Sequence, residues 1–368
     1  MQRIPARIGN AQPDIETPAL VVDLDRLERN LDAMAQSTRS IRLRPHAKSH
    51  KCSMIAKLQI ARGAVGICCQ KTDEAVAFVD AGIADVLVTN EVVEPRKLER
   101  IAALARRAHV GVLVDDERVV PALSQAATHA AATIDVYVEL DVGAHRCGVS
   151  PDAAVVLARA AHAAPGLHFR GLQAYHGAAQ HVRDPGERER ASVAAAGLAR
   201  RARSLIVASG IACEIVSGAG TGTWRYERNS GLFDELQPGS YVFMDVDYAR
   251  NVVAPDDLRF EQSLFVLASV TSVAWRGQAV VDAGLKAFAF DSGLPQVHER
   301  SGIEYVKASD EHGVLRIGEE AAPLALGDRV SIAPGHCDPT VNLYDYLVGI
   351  RGGVVEAVWP IEARGAVG

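Results

Sequence analysis

Residues 85–115 read DVLVTNEVVEPRKLERIAALARRAHVGVLVD, and this stretch decides the fold. An almost continuously apolar run at 85–90 is followed by an amphipathic stretch at 96–108 and a second apolar run at 110–115. Strands without alternation are typical of parallel sheets that are covered on both faces, and the helix between them provides the crossover. The stretch therefore predicts one strand–helix–strand unit of an α/β protein.

The same unit recurs along the chain up to about residue 250. Apolar runs alternate with Ala-, Arg- and Glu-rich helical segments, and the runs lie at 41–48, 65–70, 85–90, 110–115, 135–143, 168–177, 213–220 and 235–245. Eight parallel strands with helices between them close into a (β/α)8 barrel of the TIM type. We predict such a barrel for residues 17–250.

The pattern changes after about residue 250. Short β-branched segments, such as SLFVLASVTSVAW (263–275) and VGIRGGVVEAVWP (348–360), are separated by Gly, Asp or Pro. This pattern is typical of antiparallel β structure. We predict a C-terminal antiparallel β domain over residues 251–368, which the N-terminal arm (residues 1–25) could join through its own strand.

Composition limits the classes of function. The 368 residues are 48% hydrophobic and 23% charged, with a formal net charge of −6 and no clustered basic face, which argues against nucleic-acid binding. No apolar run is long enough to span a membrane. The N-terminus lacks the apolar core of a signal peptide and the six cysteines form no CxxC pair, so we expect reduced thiols in a cytoplasmic protein.

The segment RPHAKSHKC (44–52) contains the first candidate for chemistry. Barrel enzymes place their reactive groups at the C-terminal ends of the strands, and Lys48 follows the first run. A nucleophilic lysine must be partly neutral, and positive charge from Arg44, His46 or Lys51 could lower its pKa. The alternative is a solvated lysine at a strand end.

Two glycine-containing loops, SGAGTGTW (217–224) and PGSY (238–241), follow the seventh and eighth runs. The backbone N–H groups of Gly220, Thr221, Gly222 and Thr223 could form a concave anion site, and barrels commonly hold a phosphate after these two strands. An enzyme that depends on pyridoxal phosphate (PLP) requires a lysine opposite a phosphate site. The alternative is a pair of ordinary tight turns.

A third candidate lies in PGHCDPTVN (334–342). If this segment is extended, His336 and Asp338 point to one side and Cys337 to the other. An imidazole nitrogen and a carboxylate oxygen suit a divalent ion such as Mn, Mg or Zn. The alternative is a hydrogen-bonded histidine in a turn.

Taken together, these segments resemble the D-threonine aldolase and 3-hydroxy-D-aspartate aldolase family. These are metal-activated PLP enzymes with an alanine-racemase-type fold, PLP fold type III. The resemblance runs from about residue 17 almost to the C-terminus, through TPALVVDLDRLERNL, RPHAKSHK, GICCQKTDEA, VLVTNEVV, ELDVGAHRCGV, GLQAYHG, SGAGTGT, ELQPGSYVFMD, VVDAGLK, SDEHGV and PGHCDPTVN.

The resemblance implies a role for individual residues. Lys48 would form the Schiff base with PLP, Arg146 would contact the phenolic oxygen of the cofactor, and His336 and Asp338 would bind Mn or Mg, or else Zn. His181 would be a further catalytic residue, and Asp310 would lie near the site. Tyr175 and Gln70 would line the cofactor ring, and its phosphate would contact Thr221, Gly222, Thr223, Gly239, Ser240 and Tyr241.

The implied activity is retro-aldol cleavage of a small D-β-hydroxy-α-amino acid by a homodimer. 3-Hydroxy-D-aspartate would give glycine and glyoxylate, and D-threonine would give glycine and acetaldehyde. The first alternative is a D-serine or D-3-hydroxyaspartate dehydratase on the same fold, which presents His-x-Cys to zinc, so that a one-residue slip would make Cys337 the ligand. A PLP carrier and a metal-dependent barrel hydrolase using His46, His50 and His336 are further alternatives.

Overall fold

The computed structural model describes residues 2–253 and 257–368, and the chain divides into two compact units. The barrel unit comprises Met34–Lys48, Ser53–Gly239 and Ala366–Gly368. The β unit comprises the residues up to Ala33, Ser49–Cys52 and Ser240–Gly365. The division lies between Gly239 and Ser240, whereas the sequence placed it near residue 250.

The strands of the described residues are β1 (Ala19–Asp23), β2 (Arg42–Leu43), β3 (Ile67–Cys69), β4 (Asp85–Glu91), β5 (His109–Val114), β6 (Ile134–Glu139), β7 (Leu167–Ala174), β8 (Ile215–Gly218), β9 (Glu235–Leu236), β10 (Leu264–Ser272), β11 (Gln278–Val281), β12 (Gln296–Val297), β13 (Ile303–Ala308), β14 (Gly313–Ile317), β15 (Arg329–Ala333), β16 (Tyr346–Arg351) and β17 (Val354–Pro360). The α-helices are α1 (Leu24–Ser37), α2 (Ser53–Ile60), α3 (Thr72–Asp80), α4 (Pro95–Leu104), α5 (Val120–His129), α6 (Pro151–Ala163), α7 (Pro185–Ala208), α8 (Trp224–Asn229), α9 (Val246–Ala249) and α10 (Cys337–Val341).

The barrel unit contains eight parallel strands in the order β2-β9-β8-β7-β6-β5-β4-β3. A parallel bridge between His46 and Cys68 joins the two ends of this row, and the N–H of Cys68 donates to the carbonyl of Pro45 at 2.8 Å. The ring of strands is thus closed, which confirms the predicted (β/α)8 barrel. β2 and β9 are only two residues long because Pro45 and Pro238 follow them and have no N–H for a regular ladder.

Residues 85–115 show why the chain folds this way. Pro95 occupies the first turn of α4, where a missing N–H costs nothing, and Leu98, Ile101 and Ala102 are all buried. Their i, i+3, i+4 spacing forms one apolar face that covers the sheet, while the Arg and Glu positions between them stay in water. β4 and β5 on either side are buried along most of their length, as parallel strands covered by helices must be.

A buried polar network lies among the barrel strands. The Arg44 guanidinium is 2.6 Å from a carboxylate oxygen of Asp85 and 3.0 Å from one of Glu235. Glu235 is fully buried and also accepts a hydrogen bond from the Ser217 hydroxyl at 2.9 Å. The network links β2, β4, β8 and β9. Each of its buried charges is compensated only while the oppositely charged side chain beside it is present.

We therefore expect Glu235→Ala to destabilise the barrel unit strongly. Removing one partner of a buried ion pair leaves a charge uncompensated, and the free energy of unfolding should fall by roughly 3–5 kcal/mol. Urea denaturation followed by circular dichroism measures the change. The matched control is Asp80→Ala, which breaks an exposed ion pair with Arg107 (2.8 Å) and should cost about 0–1 kcal/mol. Equal losses in the two variants would contradict the assignment.

The β unit is built on a mostly antiparallel sheet in the order β13-β14-β11-β10-β1-β16-β17, with β15 paired to β10 and β12 paired to β15. β1, from the N-terminal arm, lies in this sheet between β10 and β16. The alternate side chains Val21, Phe265 and Val348 pack into one buried cluster on a face of the sheet. The predicted antiparallel β domain after the barrel is confirmed.

Within residues 2–253 and 257–368, no helix combines the length and the hydrophobicity needed to cross a bilayer.

Candidate active site

Lys48 lies in a short 3-10 helix, Ala47–Ser49, just beyond β2, and its side chain is half-buried. The backbone N–H of Lys48 donates to Nδ1 of His46 at 3.3 Å. Because Nδ1 accepts this bond, the proton of a neutral imidazole is on Nε2, which lies 2.8 Å from the hydroxyl oxygen of Thr89 and donates to it. The end of the first barrel strand therefore has a neutral histidine beside the lysine.

This arrangement corrects one expectation. His46 was expected to supply positive charge beside Lys48, but it is held as the neutral tautomer. The charge of Arg44 is compensated by Asp85 and Glu235, which hold the pKa of the guanidinium above its usual value despite burial. Sequence adjacency does not show which partners a charged residue finds across the barrel.

Gln70 follows β3 and lies at the same end of the barrel. Its side-chain amide donates to the carbonyl of Thr89 at 2.9 Å, and its backbone N–H donates to the Glu74 carboxylate at 2.7 Å. Thr89 thus links Gln70 to His46, and through His46 to the backbone of Lys48. The structure brings Lys48 and Gln70, both predicted from the sequence, to one end of the barrel. The sequence did not point to Thr89, which links them.

Arg146 and Tyr175 lie together beyond β6 and β7. The Arg146 guanidinium carbon is 5.9 Å from the centre of the Tyr175 ring, within the range of a cation–π contact. The loop before Arg146 is fixed by Asp141, whose carboxylate accepts from the backbone N–H groups of Gly143 and His145, both at 3.0 Å. The loop conformation, and not the arginine alone, sets where the guanidinium lies.

The loop after β8 differs from the expectation of an open ring of N–H donors. Gly220 N–H donates to the Thr223 hydroxyl at 3.4 Å, Gly222 N–H to the Gln180 side chain at 3.0 Å, and Thr223 N–H to the Gly220 carbonyl at 3.2 Å. These three N–H groups already have protein acceptors, and their contact with a phosphate stays a prediction. A Cβ at Gly220 or Gly222 would collide with Gln180, so glycine is required there for packing.

The other predicted residues lie as follows. Gly239 is buried at the end of the barrel unit, whereas Ser240 and Tyr241 are buried in a 3-10 turn, Ser240–Val242, of the β unit. His181 is exposed at the end of the 3-10 helix Ala178–His181 in the barrel unit. Asp310 is exposed in the turn between β13 and β14 of the β unit. Their roles stay predictions.

The segment at His336 is not extended as expected. Extended dihedral angles stop at His336, the N-cap residue of α10, and Cys337 and Asp338 are its first two helical residues. Pro339 suits the first turn of a helix because its missing N–H would be unpaired there, and Thr340 donates its hydroxyl to the His336 carbonyl at 2.7 Å. Asp338 is also favoured near a helix N-terminus.

His336 is nonetheless oriented as a metal-ligating histidine would be. Its Nδ1 lies 2.7 Å from the Asp291 carboxylate. This contact lowers the pKa of Asp291 although burial alone would raise it. With Nδ1 engaged in this way, Nε2 is the nitrogen that could bind an ion. A carboxylate on the second ring nitrogen is the usual support for a histidine ligand. Asp291, in DSGLP, is in position to give this support, and the sequence did not point to it.

Two buried groups complete the surroundings of this pair. Asp245 is fully buried, and its carboxylate accepts hydrogen bonds from the N–H groups of Tyr248 (2.8 Å) and Cys337 (3.0 Å). Burial raises the pKa of Asp245 to about 6, and the negative charge of Asp338 raises it further. Cys337 is fully buried and its thiol lies 3.6 Å from the Met244 carbonyl. Burial raises the pKa of that thiol well above its usual value. A buried neutral thiol that is hydrogen-bonded to a carbonyl is a poor ligand for a metal ion, compared with the partly exposed carboxylate of Asp338.

Comparison with known protein families supports a single assignment. The family described as "Alanine racemase, N-terminal domain" matches residues 22–247, and that described as "Putative serine dehydratase domain" matches residues 263–350. The chain is similar to a 3-hydroxy-D-aspartate aldolase of Paracoccus denitrificans, with 48% identity over 98% of this chain and 95% of that protein. It is similar to a D-threonine aldolase of an Arthrobacter species, with 47% identity over 98% and 96%.

Solved structures and a more distant relative agree with this. The crystal structure of a D-threonine aldolase from Filomicrobium marinum matches with a TM-score of 0.97 and 51% identity, over 99% of this chain and 100% of that one. A D-threo-3-hydroxyaspartate dehydratase of a Delftia species is 31% identical over 89% of this chain and 92% of that protein. The dehydratase is thus a more distant relative than the aldolases. The chain belongs to the D-threonine aldolase and 3-hydroxy-D-aspartate aldolase family, whose barrel is of the alanine racemase type.

Proposed function

We propose that this protein is a carbon–carbon lyase that cleaves D-β-hydroxy-α-amino acids by a retro-aldol reaction with PLP and a divalent metal ion. The substrate is 3-hydroxy-D-aspartate, giving glycine and glyoxylate, or D-threonine, giving glycine and acetaldehyde. The observation that carries this proposal is 47–48% identity over 98% of the chain to aldolases that are named for these two substrates.

The barrel unit fits PLP. A half-buried lysine lies at the end of the first strand, and an arginine lies over a tyrosine ring at the same face of the barrel. Bound PLP supplies an electron sink for the electron pair released when the Cα–Cβ bond breaks. Lys48 would hold the cofactor through its amine and return a proton to Cα. Gln70 and Tyr175 would line the ring.

Arg146 would donate to the phenolic oxygen of the cofactor and stabilise its negative charge. The phosphate would be held after β8 and β9 by Thr221, Gly222, Thr223, Gly239, Ser240 and Tyr241. Because the Gly222 and Thr223 N–H groups already have protein acceptors, we expect hydroxyl donors to contribute more than backbone donors.

The β unit fits a divalent ion. His336 would bind it through Nε2, and Asp338 through a carboxylate oxygen; both lie near the buried Asp245. A bound divalent ion lowers the pKa of a coordinated hydroxyl group, which is what the β-hydroxyl of the substrate needs. A histidine and a carboxylate favour Mn or Mg over the zinc that His-x-Cys would select.

The remaining proposals concern the setting of the enzyme. The family resemblance supports a homodimer in the cytoplasm, with a small amino acid as its substrate and His181 as a further catalytic residue. Sedimentation equilibrium measures the oligomeric state, and a monomer at micromolar concentration would contradict the homodimer.

A product assay tests the proposed function. Purified protein is incubated with 3-hydroxy-D-aspartate, PLP and Mn, and then with D-threonine in place of 3-hydroxy-D-aspartate. We expect equal amounts of glycine and glyoxylate from the first substrate and of glycine and acetaldehyde from the second. The L-enantiomers are the matched controls and should give no product above background. Ammonia and oxaloacetate from 3-hydroxy-D-aspartate would instead identify a dehydratase and overturn the proposal.

A further inference from the structure

A cluster of acidic side chains lies at the C-terminal ends of three adjacent barrel strands. Glu91 ends β4, Asp115 follows β5 and Glu139 ends β6. These strands pair side by side in the sheet. Ligand atoms of Glu91, Asp115 and the Cys147 thiol all lie within 4.8 Å of one another. The proposed function gives no role to any of these four residues.

Glu139 is the buried member of this cluster. It is 4% exposed, and among the described residues its Oε2 has no hydrogen-bond partner. Its Oε1 lies 3.6 Å from the Arg146 guanidinium. Arg146 is therefore in contact with a buried carboxyl group on one side and with the Tyr175 ring on the other.

The charges in this cluster do not balance. The carboxyl groups of Glu91 and Asp115 and the guanidinium of Arg146 all act on Glu139. Oε1 of Glu91 and Oε2 of Glu139 are both buried, and neither has a donor among the described residues, so one proton between the two carboxyl groups would satisfy both. Burial, then the hydrogen bond with Glu91 and the charge of Glu91, raise the pKa of Glu139 far above its usual range, and Arg146 offsets only part of this. Two carboxyl groups that share a poorly solvated site cannot both be ionised.

His46 and Lys48 lie beyond β2 at this end of the barrel. Further titratable groups lie at or after the ends of β4, β5, β6 and β7. They are Glu91 at the end of β4, Asp115 after β5, Glu139 with Asp141, His145, Arg146 and Cys147 at the end of β6 and in the loop after it, and Tyr175 and His176 after β7. Burial lowers the pKa of His176, so that residue adds no positive charge at neutral pH.

We propose that Glu91 and Glu139 share one proton at neutral pH, and that this carboxyl pair is a positioning element for Arg146. With the proton in place, Glu139 donates to Glu91, and the carboxyl group that lies 3.6 Å from the Arg146 guanidinium carries no charge. The guanidinium is then free to stabilise an anionic oxygen in front of it. This second half rests on the proposed function, in which that oxygen is the phenolic oxygen of PLP.

The alternative occupant of the cluster is a metal ion. The Cys147 thiol favours the proton over the metal ion. Burial and the nearby charge of Glu91 raise the pKa of this thiol to about 11, and its sulfur lies within 4.8 Å of a Glu91 oxygen, so the protonated thiol can donate towards Glu91. A metal ligand would have to be a thiolate. Protonated Cys147 and protonated Glu139 together satisfy Glu91 as an acceptor without a cation.

The first test measures the proton directly, by infrared difference spectroscopy of the full-length protein with and without PLP. We expect the carbonyl band of a protonated carboxyl group at neutral pH, lost in Glu139→Gln and retained in the control Glu94→Gln. Glu94 is exposed, lies three residues from Glu91 and makes no side-chain capping bond. In Glu91→Gln the band should titrate away at lower pH. Absence of the band in the wild type, or a metal ion bound in stoichiometric amount and lost in Glu91→Gln, would overturn the shared proton.

The second test measures PLP affinity against pH. Ionisation of Glu139 at alkaline pH should weaken PLP binding by about tenfold, the usual value of one charged hydrogen bond. Glu139→Gln is permanently neutral, so its affinity should match the wild type at neutral pH and show no alkaline fall. A merely structural role would give a lower affinity at every pH. If Arg146→Gln leaves PLP affinity unchanged while the infrared band is present, the contact of Arg146 with PLP fails and the shared proton stands.

Discussion

Lys48→Ala will abolish both the visible absorption of bound PLP and the cleavage of 3-hydroxy-D-aspartate. The amine of Lys48 has two tasks in the proposed reaction, to hold the cofactor and to return a proton to Cα. Loss of a proton-transferring side chain alone lowers kcat by roughly 10²–10⁴-fold, and loss of the covalent attachment adds to this. Absorption spectra of the purified variant and single-turnover kinetics with added PLP measure the two effects.

The matched control for this prediction is Lys57→Ala. Lys57 lies on α2 in the same unit, and its side chain is exposed. This variant should keep both the visible spectrum and the rate of the wild type. An unchanged spectrum in Lys48→Ala would mean that another lysine holds the cofactor, and the assignment of Lys48 as the PLP-binding lysine would be wrong.

The barrel could be predicted because buried positions must be apolar, and this requirement is visible in the local sequence. Residues 85–115 show this directly, since a strand buried on both faces must be apolar throughout and a helix covering it must be apolar at i, i+3 and i+4. Leu98, Ile101 and Ala102 are at these positions, and all three are buried. The same reasoning locates the other six barrel strands.

Local sequence was less informative about the segment at His336. The expectation of an extended chain put His336 and Asp338 on one side through two-residue periodicity, but α10 begins at Cys337. Pro339 in the first helical turn was the available signal, and it was outweighed by the β-rich surroundings. The two candidate ligands are still next to the same buried carboxyl group, because the N-cap residue and the second helical residue flank the helix start.

Partners distant in sequence could not be predicted at all. Arg44 finds Glu235, Glu139 finds Glu91 and His336 finds Asp291, and each pair is separated by tens to hundreds of residues. These pairs depend on barrel closure and strand register, which a single sequence does not encode in any local pattern. The proposed protonation of Glu139 follows from one of these pairs, and the tautomer of His46 follows from Thr89 on β4, so neither could be predicted.

Asp338→Ala will lower the rate of retro-aldol cleavage by roughly 10²-fold or more while sparing PLP binding. The ion that His336 and Asp338 would hold stabilises the oxygen of the β-hydroxyl as it loses its proton, and about 3 kcal/mol at the transition state corresponds to this factor. PLP binding should be unaffected because the residues proposed to bind its ring and phenolic oxygen belong to the barrel unit. Metal titration, PLP absorption and steady-state kinetics of the same preparation separate the three effects.

Two neighbouring variants make this prediction specific. Asp291→Asn keeps a hydrogen-bonding group beside Nδ1 of His336 but removes its charge, so metal affinity should fall by about 10–100-fold while saturating Mn restores most of the rate. Cys337→Ala removes a buried thiol that lies against the Met244 carbonyl, so it should lower stability more than metal affinity. If instead Cys337→Ala abolishes metal binding and Asp338→Ala does not, the ligand is the thiol, and the dehydratase becomes the better assignment. Full activity after dialysis against a chelator would remove the metal from the reaction altogether.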